Sequence, residues 1–290
     1  KAKDAPDMSR FNWEDPFRLE DQLTEDERML RDAAHTFAET TLSPIVIEAY
    51  RDETVDPGMF KKMGDAGLLG TTIPEEYGGL GLSRHFDAVA YLEQAKAGDS
   101  GWGFSVHNIA THYLTGFGTE EQKRRWLPKL ASGEMIGAIA MTEPGAGSDL
   151  QGVRTRAVLE GDHYRINGSK IFITNGGQAS LLMLVTRTNP DDRKRGLSLI
   201  MVETENLPGY RVGRVLDKMG MPAQDTAELF FEDVRVPADC RLGGEEGLGM
   251  YQLMGDLPYE RLVIALCGVG AMEGALAETS KYVKERKAFG

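Results

Sequence analysis

The sequence predicts an α+β protein of several domains: a helical region, a β-rich region and then a single long helix. Three observations indicate this order. Apolar residues recur at helical spacing in the first half, and short β-rich runs follow Gly133. No glycine or proline interrupts the chain between Gly274 and Gly290. We expect an all-helical domain at 1–133, a β domain at 134–243 and the start of a helical domain at 244–290.

The first region carries start signals for several helices. Thr24 and Glu27 form a capping box ahead of an apolar stripe, and Thr119 with Gln122 forms a second one. Ser83 stands where a helix N-cap is expected. These signals and the apolar spacing predict helices at 60–67, 84–97, 105–114 and 124–130.

The middle region predicts strands, and the last region predicts a helix that needs neighbours. Asn167-Gly168 separates two β-rich runs, 164–166 and 171–173, which is typical of a β-hairpin. The final helix begins near Leu248 and has one apolar face that it cannot bury alone. We therefore expect the chain to be truncated within this region. Further strands are expected at 181–185, 197–202 and 229–236.

The composition limits the classes of function. Lysine and arginine number 33 against 45 acidic residues, and the net charge of −12 argues against nucleic acid or an anionic membrane as partner. Cys240 and Cys267 are the two cysteines and form no CxxC, so we expect neither a disulfide framework nor a zinc site. No apolar stretch is expected to span a membrane, and residues 1–10 lack a signal-peptide core.

The most informative segment is Ala-Met-Thr-Glu-Pro-Gly-Ala-Gly-Ser-Asp-Leu-Gln-Gly at 140–152, called here the turn motif. Its glycines allow main chain to approach a ligand closely, and Thr142 and Ser148 add hydroxyl groups. Such a turn suits an anion or the edge of a heterocycle. The alternative is a loop that merely ends a strand. Glu143 and Asp149 are expected to shape the turn itself.

A second candidate is Glu260, a carboxylate in an otherwise apolar helical stripe. Leu253, Leu257, Ile264 and Cys267 share its face. Burial there would raise the pKa of the carboxyl group and suit it to act as a base. The alternative is structural: Pro258 would open a helical turn, and a glutamate there would favour the helix dipole.

Two further segments are weaker signals. At 168–175, Phe172 could stack on a flat ring and Thr174 could hydrogen-bond its edge, although aromatic residues in strands are usually core. The Gly-Val-Gly-Ala-Met-Glu-Gly run at 268–274 has the spacing GxGxxxG and lies within a helix. We therefore interpret it as close helix packing and not as a dinucleotide loop.

Several motifs together resemble one family, the acyl-CoA dehydrogenases, which are flavoproteins. The similarity extends from about residue 23 to residue 290. It implies that the chain shares the fold of this family. That fold comprises an N-terminal helical domain, a middle β-barrel-like domain and a C-terminal four-helix bundle, of which this chain would hold the first long helix. The motifs lie at 68–70, 74–79, 140–152, 170–175, 218–220, 231–237 and 282–290.

The resemblance also implies a cofactor, FAD, and a set of site residues. Arg286 would reach the FAD of a neighbouring subunit, which implies a homo-oligomer, typically a tetramer. Glu260, directly before Arg261, stands where long-chain and isovaleryl members carry their catalytic base. The flavin contacts would be Ile139, Ala140, Met141, Thr142, Gly147, Ser148, Phe172, Ile173 and Thr174. The substrate contacts would be Ser148, Tyr251, Pro258, Tyr259 and Arg261.

The implied reaction is α,β-dehydrogenation of an acyl-CoA thioester, with electrons passed to electron-transfer flavoprotein. From Gly137 onward the sequence resembles long-chain members, whereas 11–16 and 23–27 resemble glutaryl-CoA dehydrogenases. Residues 96–123 contain no arginine for a second carboxylate, which favours an unbranched, medium-to-long monocarboxylic acyl chain. Isovaleryl or glutaryl specificity, an acyl-CoA oxidase and an inactive scaffold remain alternatives. The resemblance implies the bacterial cytoplasm, or the mitochondrial matrix in a eukaryote.

Overall fold

The computed structural model describes residues 11–12, 15–99, 101–192 and 195–289. Helices occupy the first part of the chain, a sheet the middle and one long helix the last part, as the sequence predicts. A π-helical turn, Ala38–Leu42, joins the first two helices. The helices are α1 (Glu25–Phe37), α2 (Ser43–Asp52), α3 (Gly58–Asp65), α4 (Arg84–Lys96), α5 (Phe104–Phe117), α6 (Glu120–Ala131) and α7 (Gly249–Glu285).

Both predicted capping boxes are confirmed. The Thr24 hydroxyl accepts from the Glu27 amide at 3.2 Å, and Glu27 accepts from the Thr24 amide at 2.7 Å. Thr119 and Gln122 make the equivalent pair at the start of α6. Ser83 is the N-cap residue of α4, although its side chain makes no capping hydrogen bond. Helix α2 was not predicted.

The middle of the chain forms seven strands. The strands are β1 (Gly137–Ala140), β2 (Arg156–Glu160), β3 (His163–Thr174), β4 (Leu181–Arg187), β5 (Leu197–Glu203), β6 (Tyr210–Val215) and β7 (Thr226–Pro237). They form one sheet with the order β1-β4-β2-β3-β7-β6, and β5 pairs with β4 outside this path. Parallel pairing of β1 with β4 places the turn motif at one end of the sheet. Strands β2 and β6 were not predicted.

The predicted hairpin at Asn167-Gly168 is wrong. Strand β3 runs through both residues, and the tight turn lies earlier, where Glu160 pairs with His163. Asn167 instead exchanges two hydrogen bonds with Asp233 of β7, each 2.9 Å long. A side chain at Gly168 would come within 2.5 Å of Thr155, so glycine allows the close approach of the chain just before β2, at a bulge in the pairing of β3 with β7.

Helix α7 lies against α4, and small residues allow the close contact. A Cβ at Gly270 would lie 2.7 Å from the Leu92 carbonyl oxygen, and one at Gly274 would lie 2.4 Å from the Lys96 oxygen. The predicted helix-packing role of the 268–274 run is thereby confirmed for these two glycines. Gly268 differs, because a Cβ there meets nothing within 4 Å.

The expectation that no apolar stretch approaches a membrane span is wrong by length and composition. Helix α7 has 37 residues, and an 18-residue window of it has a mean hydropathy of 1.5 with 11% of the window buried. Leucine, valine, isoleucine and alanine keep the hydropathy high, while Glu273 and Glu278 are the charged residues between 262 and 280. Such a helix is weak evidence for a membrane span, because core helices of soluble proteins have the same composition.

Candidate active site

The turn motif is held by a buried ion pair. Lys170 of β3 donates through Nζ to Glu143 Oε1 and to the Met141 carbonyl oxygen, each at 2.9 Å. The same carboxylate accepts the amides of Arg154 at 2.7 Å and Thr155 at 2.9 Å. Glu143 therefore shapes the turn, as the sequence predicts, and Asp149 does so too by accepting the Gln151 amide at 3.0 Å.

The environment keeps this pair charged at neutral pH. Burial raises the pKa of Glu143, but the Lys170 charge and the hydrogen bonds outweigh it, so the pKa lies below its ordinary value. Burial lowers the pKa of Lys170 to about 8. A charged pair in this position holds the chain rigidly without offering either group for chemistry.

The turn motif is hydrogen-bonded directly to β3 at a bulge. The Ile171 amide donates to the Thr142 carbonyl oxygen at 2.9 Å, just where the β3–β7 register shifts between Lys170 and Ile173. Phe172 lies in this bulge with a φ of 61° and is 64% exposed. A non-glycine residue in this backbone region is strained, and strained residues cluster at ligand sites. We call residues 142–148 and 171–174 the turn–bulge surface.

The predicted flavin residues fall into two groups. Thr142, Gly147, Ser148, Phe172 and Thr174 are exposed or half-buried. Ala140 and Ile173 are buried in the core, so they support the surface and present only main chain to it, while Ile139 and Met141 are half-buried and pack against that core. Arg286 is exposed 26 residues beyond Glu260, about 39 Å along a helix, so one chain does not bring the two together.

Glu260 is half-buried on α7 and bonded to a buried tyrosine. Tyr113 of α5 donates its hydroxyl to Glu260 Oε1 at 2.6 Å. Burial raises the pKa of Glu260 and nearby Asp256 adds to the increase, whereas Tyr113 and Arg261 act against it. The net effect is a raised pKa, which is the property expected of a carboxylate base.

The structural alternative for Glu260 does not hold. Helix α7 begins at Gly249, so Pro258 lies inside the helix and Glu260 lies three turns from its start. The helix dipole favours an anion only within the first turn. The carboxylate therefore needs another explanation for its position. Its predicted apolar face is uneven: Leu253 is buried, Leu257 and Cys267 are half-buried, and Ile264 is exposed.

An apolar cavity of about 770 Å³ begins one turn beyond Glu260. Ile264, Cys267 and Gly268 form one wall, and Phe104 and Thr174 belong to other walls. Glu260, Ile264 and Cys267 share one face of α7 because they are separated by four and three residues. The cavity thus extends from the end of β3 to the helix face that carries the carboxylate.

The remaining predicted substrate residues are placed differently. Tyr259 is buried, and its hydroxyl donates to Asp87 Oδ2 at 2.9 Å, so its polar end is occupied. Tyr251 precedes Glu260 by nine residues, which puts it on the opposite side of a straight helix. Pro258 and Arg261 are exposed beside Glu260. Contact of these residues with substrate stays a prediction.

Sequence reasoning missed Tyr113 and the buried group around Asp87. Tyr113 is far from Glu260 in the sequence, and nothing local in a helical Tyr signals such a partner. Asp87 accepts from Thr71 and Tyr259 and lies 2.9 Å from His112 Nε2, which joins α4, α5 and α7. Among the described residues, no group of three or more His, Cys, Asp or Glu side chains could hold a metal ion.

Comparisons with known proteins agree with this architecture. Family models described as acyl-CoA dehydrogenase N-terminal, middle and C-terminal domains match residues 24–134, 138–234 and 247–290. The mitochondrial long-chain specific acyl-CoA dehydrogenase of Mus musculus is 47% identical over 265 residues, covering 90% of this chain. The chain spans 61% of the length of that mouse protein.

Solved structures show the same similarity. An acyl-CoA dehydrogenase from Geobacillus kaustophilus is 45% identical with a TM-score of 0.87, over 92% of this chain and 71% of that one. A glutaryl-CoA dehydrogenase from Mycobacterium smegmatis, in complex with FADH2, is 32% identical with a TM-score of 0.85, over 94% and 69%. With three domain models matched in order, the chain belongs to the acyl-CoA dehydrogenase family.

Proposed function

We propose that this chain binds FAD and an acyl-CoA thioester and oxidises the Cα–Cβ bond of the acyl group, with Glu260 as base. The observation that carries the proposal is the position of the Glu260 carboxylate. It is half-buried, its pKa is raised, and it shares a helix face with the wall of an apolar cavity. A carboxylate so placed can reach a substrate whose chain fills the cavity.

The turn–bulge surface fits the FAD ring. Phe172 offers an exposed aromatic face, and Thr174 offers a hydroxyl two residues further along β3. A Cβ at Gly145 or Gly147 would meet nothing within 4 Å, so the turn leaves room for a group to lie against it. When bound, FAD supplies the two-electron acceptor for the hydride that leaves the β-carbon.

Glu260 would take the proton in this reaction. The Cα–H bond breaks, the proton passes to the carboxylate, and its electron pair forms the Cα=Cβ bond as hydride departs from Cβ. Protons, electrons and charge are then balanced between Glu260 and the acceptor. The chain's other residues bind and orient the two reactants, because placement supplies much of the rate acceleration.

The cavity favours a monocarboxylic acyl chain, and the similarity to a long-chain specific relative supports an unbranched chain of medium to long length. Its lining is largely apolar, and a second carboxylate would need a free cation. Lys96 is the cation among the lining residues, and it already pairs with Glu93 at 2.9 Å and Glu273 at 3.0 Å. This occupied lysine argues against glutaryl-CoA, which carries a carboxylate at the far end of its acyl chain.

Partners and location follow by extension from the family. Electron-transfer flavoprotein would accept the electrons, and Arg286 would meet the FAD of another subunit in a homotetramer. Further helices of a four-helix bundle would cover the exposed apolar side chains of α7. The protein would be located in the bacterial cytoplasm, or in the mitochondrial matrix if the source is a eukaryote. The exposed apolar side chains include Met254, Leu262, Ile264, Met272 and Leu276.

The direct test is an anaerobic titration of the yellow, flavin-loaded protein with a series of saturated acyl-CoA thioesters. We expect the flavin absorbance to bleach, at a rate that is highest for unbranched chains. If the protein held no flavin, or if none of the acyl-CoA thioesters bleached it, the proposal would be contradicted and the inactive scaffold favoured. Peroxide formed in air at a rate matching turnover would instead identify an acyl-CoA oxidase.

A further inference from the structure

We propose that Tyr113 is the positioning residue for the base, holding Glu260 by one carboxylate oxygen so that the other faces the substrate. This inference rests on the proposed function. Tyr113 Oη lies 2.6 Å from Glu260 Oε1, across the contact between α5 and α7. No other side chain among the described residues hydrogen-bonds to this carboxylate.

The tyrosine is well suited to fix a partner. It is 0% exposed, and its ring packs 6.1 Å from that of Phe117. Its hydroxyl has one proton to give, and a second acceptor, the Leu253 carbonyl oxygen, lies farther away at 3.4 Å. The short bond to a charged acceptor is the stronger one. The proton is therefore directed to Oε1, which leaves Oε2 for the α-proton.

Other charges around Glu260 act from its own helix. Asp256 lies one turn earlier and pairs with Arg84 of α4 at 3.1 Å, and Arg261 is the next residue. Asp256 raises the pKa of Glu260, whereas Arg261 and the Tyr113 hydroxyl lower it. From α5, Tyr113 is the titratable group that faces the carboxylate. Removing its hydroxyl should thus make the base harder to deprotonate.

The test is Tyr113→Phe, measured as the rate of acyl-CoA-dependent flavin bleaching against pH in the FAD-loaded protein. The bleaching rate should rise as Glu260 deprotonates, at a pH above the ordinary glutamate value of 4.5. This rise is the acid limb of the pH profile. We expect the acid limb to move to higher pH by about 1–2 units in Tyr113→Phe. The plateau should fall roughly 10- to 100-fold with the half-saturating acyl-CoA concentration little changed, because the base loses its orientation.

Tyr164→Phe is a matched control. Tyr164 is also 0% exposed and donates to a glutamate, Glu246 Oε1, at 2.6 Å, but in the middle of the sheet. It should leave both the limb and the plateau unchanged. If Tyr113→Phe matches the wild type while Glu260→Gln is inactive, the positioning role is wrong and the proposed function survives. If the wild type never bleaches, the proposed function itself fails.

A second variant covers the case in which Tyr113→Phe does not fold. Replacing Tyr113 with 3-fluorotyrosine keeps the ring and the hydroxyl but makes the proton a stronger donor. The acid limb should then shift to lower pH, opposite to the Phe variant. A limb that stays in place, in a protein that binds FAD normally, would overturn the positioning role.

Discussion

Glu143 and Glu260 are both carboxylates removed from water, and their partners decide what each can do. Glu143 accepts two backbone amides and a lysine, so its anion is fully compensated and its pKa lies below the ordinary value. Glu260 has one phenol as partner, and its pKa is raised. The first residue is therefore structural and the second is suited to exchange a proton.

Lys170→Met tests the structural role of the Glu143 pair. The change leaves a buried carboxylate without its cation, so we expect the free energy of unfolding to fall by about 3–5 kcal/mol in urea denaturation. Arg195→Met removes one partner of the exposed Arg195–Glu245 pair and should cost less than about 1 kcal/mol. An equal effect of the two substitutions would contradict the assignment.

The same pair predicts how stability depends on pH. The folded-state pKa of Glu143 lies below 4.5, so the contribution of Glu143 to the free energy of unfolding is complete above pH 4.5. It is lost as the pH falls through the lower, folded pKa. In Glu143→Gln, we expect the loss of unfolding free energy between neutral and acid pH to be smaller than in the wild type, measured by urea titrations at each pH. An unchanged acid dependence would refute this contribution.

Phe172 has a strained backbone conformation, and its exposed side chain does not offset the energy of that strain by burial. Phe172→Gly should leave the stability of the FAD-free protein unchanged or raise it by up to about 1 kcal/mol, because the αL penalty disappears. FAD affinity should fall about 10-fold with the aromatic face. Phe172→Leu keeps the strain and should lose affinity alone. Undiminished FAD binding in both variants would remove Phe172 from the flavin site.

Sequence reasoning predicted site residues where the signal was local. The turn motif, both capping boxes and the isolated charge of Glu260 are visible in short stretches of chain. Tyr113 was not predictable, because its role depends on a partner 147 residues away. Tyr259 lies beside Glu260 in the chain, but helix geometry turns it inward, where its hydroxyl donates to Asp87.

At the scale of elements, the α4–α7 contact sets where Glu260 and the cavity lie. Gly270 and Gly274 bring α7 against the carbonyl oxygens of α4, and Gly268, nearer to Glu260, borders open space. The same helix is therefore close-packed on one part of its surface and forms a cavity wall on another. Side-chain size at each glycine should then have different consequences.

Gly274→Ala and Gly268→Ala test this difference directly. The added methyl at Gly274 meets the Lys96 backbone at 2.4 Å, so we expect unfolding free energy to fall by about 1–3 kcal/mol. The methyl at Gly268 meets nothing within 4 Å and should raise helix stability by up to about 1 kcal/mol. Thermal unfolding of the two variants should therefore shift in opposite directions, and a shared direction would contradict the packing.

Gly268→Leu tests the cavity as the acyl site. The larger side chain would occupy space that a long acyl chain needs, so kcat/KM should fall at least ~10-fold for long chains and little for short ones. Val269→Leu adds volume to an exposed neighbour outside the cavity and should change neither. Loss of activity that is equal for every chain length would argue against the cavity as the chain-binding site.

Helices and strands were predictable where the local sequence pattern determined them. They were not predictable where contacts with distant parts of the chain determined them. Local signals in the sequence located α1 and α3 to α7, with α3 at Gly58–Asp65 where a helix at 60–67 was predicted. Asn167-Gly168 has the strongest local hairpin signal, yet β3 continues through it with a bulge, where Asp233 hydrogen-bonds to Asn167 and Thr155 lies close to Gly168. The order of the sheet, in which β2 and β1 flank β4, involves strands distant in sequence and had no local signal.

For the whole molecule, we propose that three segments distant in the sequence take part in one reaction. The turn motif and the β3 bulge would provide a surface for FAD, the α7 face would provide the base, and the cavity would receive the acyl chain. What tests the claim is whether proton removal by Glu260 is required for electrons to reach the flavin.

The most direct measurement is the anaerobic bleaching rate of FAD-loaded Glu260→Gln on mixing with a long-chain acyl-CoA. Glutamine keeps the size of the side chain and can still accept from Tyr113, so FAD should stay bound while the rate falls at least ~100-fold. Glu246→Gln, which alters the matched Tyr164–Glu246 bond, should bleach at the wild-type rate. Bleaching by Glu260→Gln at the wild-type rate would contradict the account.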